Sequence, residues 1–299
     1  MIRQRLPQQL CGAAIVSGAP DRTNDNTLFC LSPDGKILWK YYIRSETCLK
    51  PLVGGNDSIF LLSYNQEVKT GTLRCLDEKG ILRWSVKTDV DMWARDFHLF
   101  REKLYLVTKY NTLRAFTVEG KVYWKEDLKI DCEDSIRIAF GNEGQIYISS
   151  DKTIFSYIET KKEVWKYETS NHHIISSPIS IDKKGNLFFN TANGEIISLD
   201  SRGRERWKNK IRAQGNNAPL VDRKGNIVQT STILGYPHSH SWIEIFDNEG
   251  KKLWEKEVKG TIESSKLLND NSIYLLSNGF IRNGKEIEWY LYQLNEIFQ

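Results

Sequence analysis

Apolar and polar residues alternate along most of the chain in short runs, and six segments built from these runs align without a gap. Each segment has an alternating apolar stretch, a four-residue polar turn, and a second alternating stretch that ends on a tryptophan. Alternation with a period of two is typical of half-buried β-strands, so each segment predicts a β-hairpin. The six tryptophans are Trp39, Trp84, Trp124, Trp165, Trp207 and Trp254.

The turn of each hairpin has a fixed chemistry. A glycine stands four residues before the tryptophan in five of the six segments, and the fourth segment has Lys161 in that place. Glycine adopts the positive φ that tight hairpin turns need, and an aspartate at the start of the turn can cap it. Because a tryptophan side chain is large and mostly apolar, the regular series predicts docking residues between neighbouring sheets.

Successive tryptophans are 40 to 47 residues apart, which is the length of four short strands and is similar to the period of WD40-like repeats. Two further apolar runs precede each hairpin, for example SSPISI and NLFFN ahead of the fifth one. Each repeat therefore predicts a blade of four antiparallel strands, a to d. Such blades close into an all-β propeller with short, protected edges.

The two ends of the chain predict seven blades in a single domain spanning residues 1–299. After Trp254 the sequence predicts three strands within about residues 262–295, and a further apolar run, residues 2–6, precedes the first blade. We expect residues 2–6 to supply the fourth strand of blade seven. This strand would close the ring and remove two free sheet edges.

Composition narrows the kinds of partner. The chain has 42 Lys and Arg against 38 Asp and Glu, a formal net charge of +4, which is too balanced to predict a nucleic-acid-binding surface. No apolar run approaches the ~18 residues that span a bilayer. The basic N-terminal segment has only the short apolar stretch CGAAIV. We therefore expect no membrane insertion, a monomer, and a cytoplasmic location unless a leader sequence has been removed.

The cysteines indicate packing. The five of them are scattered and odd in number, which favours reduced thiols over a disulfide framework or a zinc site. Cys30 and Cys75 stand where other copies have Ala115, Ser156 and Ser198. The position therefore requires a small residue, and we interpret these cysteines as structural.

The Asp-x-x-Gly-x-x-x-Trp pattern resembles the tryptophan-docking repeat of the quinoprotein, or PQQ-like, β-propeller family. It is complete at residues 77–84, 200–207 and 247–254, and the resemblance covers nearly the whole chain. The family includes PQQ-dependent dehydrogenases and also propellers without a cofactor, such as the lipoprotein subunit of the outer-membrane assembly machinery. The dehydrogenases commonly carry adjacent cysteines and a calcium-binding acidic set, which match no segment here. The resemblance implies the fold of the non-catalytic branch, and PQQ is not expected.

Connection lengths predict where a partner binds. The a–b and c–d turns are short, uniform and mixed in charge, which predicts a solvated face. The b–c connections of blades 6, 7, 1 and 2 are extended, and long loops on a rigid scaffold usually carry recognition. The residues predicted to contact a partner on this long-loop face are Arg22, Tyr64, Trp93, Tyr236, His238, Trp242 and Arg282.

Other polar groups are candidate metal ligands. Two histidine pairs lack a third ligand, and an acidic cluster could hold calcium, but we interpret both sets as solvated surface residues. These residues are His172, His173, His238 and His240, and Asp131, Glu133 and Asp134. We expect no resident cofactor or metal, with calcium left open.

These patterns favour a non-catalytic scaffold that recognises a protein or peptide through its long-loop face. Two alternatives stay open. A PQQ-like enzyme or cofactor-binding protein would need acidic ligands that converge on the propeller axis. A carbohydrate-binding propeller would need an exposed aromatic platform.

Overall fold

The computed structural model describes residues 13–16, 26–32, 34, 36–43, 46–49, 51–88, 97–107, 112–128, 136–159, 162–233, 239–267, 272–280 and 287–294. Antiparallel strands dominate the described residues, with a short 3-10 helix at Ser170–His172. The chain divides into two compact units, Met1–Asp131 and Cys132–Gln299. A single domain spanning residues 1–299 stays a prediction.

The first unit contains three antiparallel sheets in the described residues. Sheet 1 consists of β1 (Ala13–Val16), β2 (Asn26–Leu31) and β3 (Ile37–Ile43). Sheet 2 consists of β4 (Thr47–Cys48), β5 (Leu52–Val53), β6 (Ile59–Asn65), β7 (Thr70–Leu76) and β8 (Leu82–Thr88). Sheet 3 consists of β9 (Phe97–Phe100), β10 (Lys103–Val107), β11 (Thr112–Thr117) and β12 (Val122–Asp127). In sheet 2, β4 and β5 both pair with β6 and together take the place of a single strand.

The second unit contains four antiparallel sheets in the described residues. Sheet 4 is β13 (Arg137–Phe140), β14 (Ile146–Ser150), β15 (Thr153–Ile158) and β16 (Lys162–Glu168). Sheet 5 is β17 (Ser180–Ile181), β18 (Leu187–Thr191), β19 (Glu195–Leu199) and β20 (Glu205–Lys210). Sheet 6 is β21 (Leu220–Val221), β22 (Ile227–Ile233), β23 (His240–Phe246) and β24 (Lys252–Lys259). Sheet 7 is β25 (Thr261–Leu267), β26 (Ile273–Phe280) and β27 (Ile287–Leu294).

The six predicted hairpins are present, and each of the six predicted docking tryptophans lies on the last strand of its sheet. Sheets 3 to 6 have four strands in the predicted order. Residues 2–6 lie outside the described residues, so ring closure and a count of seven blades stay predictions.

Within each unit, the core lies between the faces of successive sheets. In the second unit, buried side chains of sheets 4 and 5 meet in one cluster that includes Tyr147, Ile154, Leu187 and Phe189. All residues of β14 and β18 are buried, because these inner strands are covered on both faces. The outer strands keep one exposed face and half-bury the other, which gives them the alternating pattern that predicted them.

A tryptophan of one sheet docks onto the turn glycine of the next sheet of the same unit. Trp207 Nε1 donates a hydrogen bond to Asn248 O at 2.9 Å. A Cβ atom added to Gly250, whose φ is +87°, would lie 2.7 Å from Trp207 Cδ2. The turn glycine is therefore needed both for its backbone conformation and for the space that the indole takes. The same arrangement joins Trp39 to Gly80, Trp84 to Gly120 and Trp165 to Gly203.

Strand register gives the reason for the small residues at the cysteine positions. Cys75 pairs directly with Trp84 and Ser198 pairs with Trp207, and a β-bulge follows each pair. Both small residues are buried, and burial raises the pKa of the Cys75 thiol. A small side chain beside the tryptophan leaves room for the indole, in agreement with a structural role for Cys75.

Candidate functional site

Two of the seven predicted partner-binding residues lie in the described part of the chain. Tyr64 lies within β6 opposite Thr47 and Gly71, and it is only 9% exposed. It therefore offers a partner little surface. Trp242 lies in β23 and is half-buried. The residues outside the described part are Arg22, Trp93, Tyr236, His238 and Arg282.

Much of the extra length that predicted long connections is taken up by strands. In sheet 2, residues 66–69 suffice to join β6 to β7, so Tyr64 is a strand residue and not a loop residue. In sheet 6, β22 and β23 have seven residues each, whereas β18 and β19 of sheet 5 have five. Trp242 corresponds to Glu195, the first residue of β19, whereas Ile233 and His240 lie beyond the level at which the shorter hairpin of sheet 5 turns.

The end of the sheet 6 hairpin brings four side chains to one face. Ile233 pairs with His240, and Trp242 pairs with Glu257. Directly opposed residues and alternate residues of a strand project from the same side of a sheet. Ile233, His240, Trp242 and Glu257 therefore share one face, and we call them the loop-end patch.

The loop-end patch combines an aromatic surface, an apolar side chain and a carboxylate. The rings of His240 and Trp242 stack with centroids 6.2 Å apart and an interplanar angle of 29°. His240 Nδ1 lies 2.6 Å from Glu257 Oε1, and this contact orients the imidazole ring. Ile233 is 49% exposed. The patch can pack an apolar or planar group while the carboxylate accepts a hydrogen bond from the same ligand.

A charged network supports the same face of sheet 6 below the patch. The Glu244 carboxylate is fully buried, and it accepts a hydrogen bond from Arg212 N at 3.0 Å and from Lys252 Nζ at 2.5 Å. Glu255 contacts the side chains of the same two cations. The hydrogen bond from Arg212 and then the one from Lys252 lower the pKa of Glu255 to about 2. The negative charges of the two carboxylates are matched by the positive charges of the two cations, so the network fixes the position of the strands that carry the patch.

The sequence predicts Trp242 as a contact residue of this surface, but not Ile233 or Glu257. Ile233 falls in the run STILGYPHSHS, which the sequence predicts as an extended b–c connection, and Glu257 lies on a different strand from Trp242. The missing information is the register across three strands, which places these side chains together.

The predicted histidine pairs contact carboxylates where the structure describes them. His172 Nδ1 lies 3.0 Å from Glu168 Oε1, and His173 Nδ1 lies 3.4 Å from Glu195 Oε2. Among the described residues, no three or more His, Cys, Asp or Glu side chains are grouped to hold a metal ion. Residues 131–134 and His238 lie outside this part, so the absence of a metal stays a prediction. No helix in the described ranges is long and apolar enough to cross a membrane.

A protein-family model described as outer membrane protein assembly factor BamB matches residues 69–289, which is more than half of the chain. The chain belongs to this family. The PQQ-like repeat predicted from the docking tryptophans is thereby confirmed. No curated protein matches the sequence significantly.

Two solved structures show the fold. BamB from Moraxella catarrhalis is 13% identical, with a TM-score of 0.55, over 84% of this chain and 88% of that chain. The C-terminal WD40 domain of Sif2 is also 13% identical, with a TM-score of 0.62, over 85% of this chain and 75% of that chain. The chain is thus an all-β propeller built of four-stranded antiparallel blades, as predicted.

Proposed function

We propose that this chain is a non-catalytic scaffold that binds a protein or peptide partner, and that the loop-end patch forms part of the contact surface. The observation that carries the proposal is the stacked, half-buried Trp242 beside the exposed Ile233. Tryptophan is enriched among the few residues that supply most of the binding energy of a protein interface. The family description, a protein assembly factor, agrees with a role in binding other proteins.

Site-specific photo-crosslinking in the native cell tests this proposal. A photoreactive amino acid in place of Ile233 should give a covalent protein adduct, because this side chain is exposed within the patch. The same amino acid in place of Lys166, an exposed residue of β16, is the matched control. Trp242→Ala should remove the adduct while the purified variant keeps its β-sheet circular dichroism. Equal adducts at the two positions, or an adduct that survives Trp242→Ala, would show that the patch is not the contact surface.

The residues predicted on the rim of the long-loop face can be tested with the same crosslinking assay. Arg22→Ala, Tyr236→Ala and Arg282→Ala should each weaken capture at position 233 without changing the melting temperature, if the rim and the patch form one surface. Arginine and tyrosine share with tryptophan the tendency to anchor interfaces. Normal capture by all three variants would confine the contact to the patch.

A carbohydrate ligand is a second candidate, because the stacked Trp242 and His240 rings form an aromatic platform. A sugar ring packs its apolar face on such a platform. Glycan-array binding that Trp242→Ala abolishes would favour this candidate. A crosslinked protein adduct together with no signal on the glycan array would favour the scaffold function.

The expectations about cofactor and location are tested separately. A quinone bound to the protein purified from its native cell would show in the absorbance spectrum and would favour the enzymatic alternative. Cell fractionation tests the proposed cytoplasmic location against the envelope location that the family description suggests.

A further inference from the structure

A cleft lies between the a–b turns of sheets 5 and 6, at the end of these sheets opposite to the loop-end patch. Its volume is about 280 Å³. The turns have the sequences DKKG (residues 182–185) and DRKG (residues 222–225). Residues of both turns line the cleft, together with Ile181, Val221 and Asn248.

The two turns have a fixed conformation, because an aspartate caps each one. Asp182 Oδ1 accepts hydrogen bonds from the backbone N–H groups of Lys184 and Asn186, each at 2.8 Å. Asp222 Oδ1 accepts one from Asn226 N at 2.8 Å. Both aspartates are less than a tenth exposed. The aspartate oxygens are thus bonded within the turns, and the exposed residues form the rim of the cleft.

Asn248 holds the two turns at a set distance. Its Nδ2 donates to Asp182 Oδ2 and to Gly225 O, both at 3.2 Å, so one side chain bridges the turns of two sheets. Arg206 in turn donates to Asn248 Oδ1 at 2.7 Å. The cleft is therefore held open by hydrogen bonds within the second unit, and a ligand finds it already formed.

The rim of this cleft carries one sign of charge. Lys183, Lys184, Arg223 and Lys224 are all exposed at its edge. Sheet 4 has Asn142 and Glu143 at the corresponding turn, so the cluster of cations is particular to sheets 5 and 6. Adjacent like charges around a concave surface raise the local concentration of an oppositely charged ligand.

The donors and the floor of the cleft distinguish between classes of anion. A small phosphate is usually held by convergent backbone N–H groups. Here Lys184 N, Gly185 N, Gly225 N and Asn226 N are already bonded to oxygens of their own turns. The other charged groups at the edge of the cleft are long cationic side chains, and half-buried Ile181 and Val221 line the cleft beside them. Such a surface suits a chain that offers several carboxylates and an apolar side chain together.

We propose that the cleft between the Asp182–Gly185 and Asp222–Gly225 turns binds an acidic peptide segment, with carboxylates on the cationic rim and an apolar side chain on Ile181 and Val221. This site is separate from the loop-end patch and does not depend on the function proposed for that patch. It also revises the prediction that the short-turn face is merely solvated surface.

Fluorescence anisotropy with a labelled peptide of alternating Glu and Val residues tests the proposal on the full chain. The matched control peptide has Gln in place of Glu. Lys183→Glu combined with Arg223→Glu should weaken binding of the Glu peptide by about tenfold, because each exposed charge pair contributes little affinity and several pairs are lost together. Lys166→Glu combined with Lys256→Glu makes the same change in net charge on the outer strands β16 and β24, and it should leave binding nearly unchanged.

Each result decides between alternatives. Tight binding of the Gln peptide, or equal losses in the two charge-reversed variants, would overturn the proposal, since charge at the cleft would then not matter. Competition by millimolar inorganic phosphate at constant ionic strength would indicate a phosphate site and would also overturn it. If Lys183→Glu with Arg223→Glu lowers the melting temperature, Lys183→Glu with Lys184→Glu replaces it as the cleft variant. Because the probe is a synthetic peptide, failure here leaves crosslinking at Ile233 as an independent test of the scaffold function.

Discussion

The contact between Trp207 and Gly250 can be measured by a double-mutant cycle. Gly250→Ala would place a Cβ atom 2.7 Å from Trp207 Cδ2 on a backbone with φ of +87°. Gly185→Ala is the matched control in the same unit, because its φ is +83° but its nearest neighbour to a new Cβ, Ser201 Cβ, lies 3.4 Å away. The two substitutions thus share the backbone strain and differ in the steric conflict with the indole.

The expected free energies of unfolding follow from these distances. A non-glycine residue at left-handed φ costs about 1–2 kcal/mol, and that is the expected loss for Gly185→Ala. Overpacking adds about 1–3 kcal/mol, so Gly250→Ala should lose about 2–5 kcal/mol in total. Removal of Trp207 as alanine should cost about 3 kcal/mol, the lower end for a core tryptophan, because the side chain is half-buried. In that background Gly250→Ala should cost only the backbone strain.

Urea unfolding followed by circular dichroism measures the free energy of unfolding of the wild type, the two single variants and the double variant. The coupling energy between Trp207→Ala and Gly250→Ala should be about 1–3 kcal/mol, and that between Trp207→Ala and Gly185→Ala should be close to zero. A loss for Gly250→Ala that is the same with and without Trp207 would refute the docking role of the glycine. So would equal losses for Gly250→Ala and Gly185→Ala in the wild-type background.

Two further predictions concern the first unit and the chain ends. Deletion of residues 1–7 should lower the melting temperature and promote aggregation if residues 2–6 close the ring, and a truncated chain that melts like the full one would contradict closure. Arg74→Met should lower the free energy of unfolding by about 3 kcal/mol. In the wild type Glu46 Oε2 lies 2.7 Å from Arg74 Nη1 and the Glu46 side chain is only 12% exposed, so the substitution leaves a nearly buried carboxylate without its cationic partner. Burial raises the pKa of Glu46 in the variant, whereas in the wild type hydrogen bonds from Arg74 and Ser63 lower it below 4.5, so the advantage of the wild type should be full above the raised pKa of the variant and shrink as the pH falls through both values. An advantage that is independent of pH in urea unfolding would exclude this ion pair as its cause.

The sequence predicts the strands and their grouping because the information for them is local. Alternation of apolar residues defines each strand, and a glycine four residues before a tryptophan marks each outer hairpin. The structure agrees with these predictions from β2 to β24. What local pattern does not contain is the partner of each tryptophan. Trp207 contacts a glycine of the following copy, more than forty residues away, and only the stacking of sheets shows this.

The candidate sites were less predictable for two physical reasons. The loop-end patch depends on register, because a shift of one residue would send Trp242 and Ile233 to the opposite face. The cleft depends on which turns are neighbours. Averaged over all copies, the short turns are mixed in charge, but the two turns at residues 182–185 and 222–225 adjoin each other and carry their cations together.

The docking of Trp39, Trp84, Trp165 and Trp207 on the next copy has a consequence for how such a chain can grow. The second and fifth copies each supply an indole to the sheet after them and a glycine to the sheet before them. An in-register tandem duplication therefore inserts both halves of every junction at once, and no existing junction loses its complement. A duplication that begins between the glycine and the tryptophan of one turn still carries one of each. Blade number can thus change in evolution by single genetic events, while substitution of either member of a pair disrupts one junction and leaves the others intact.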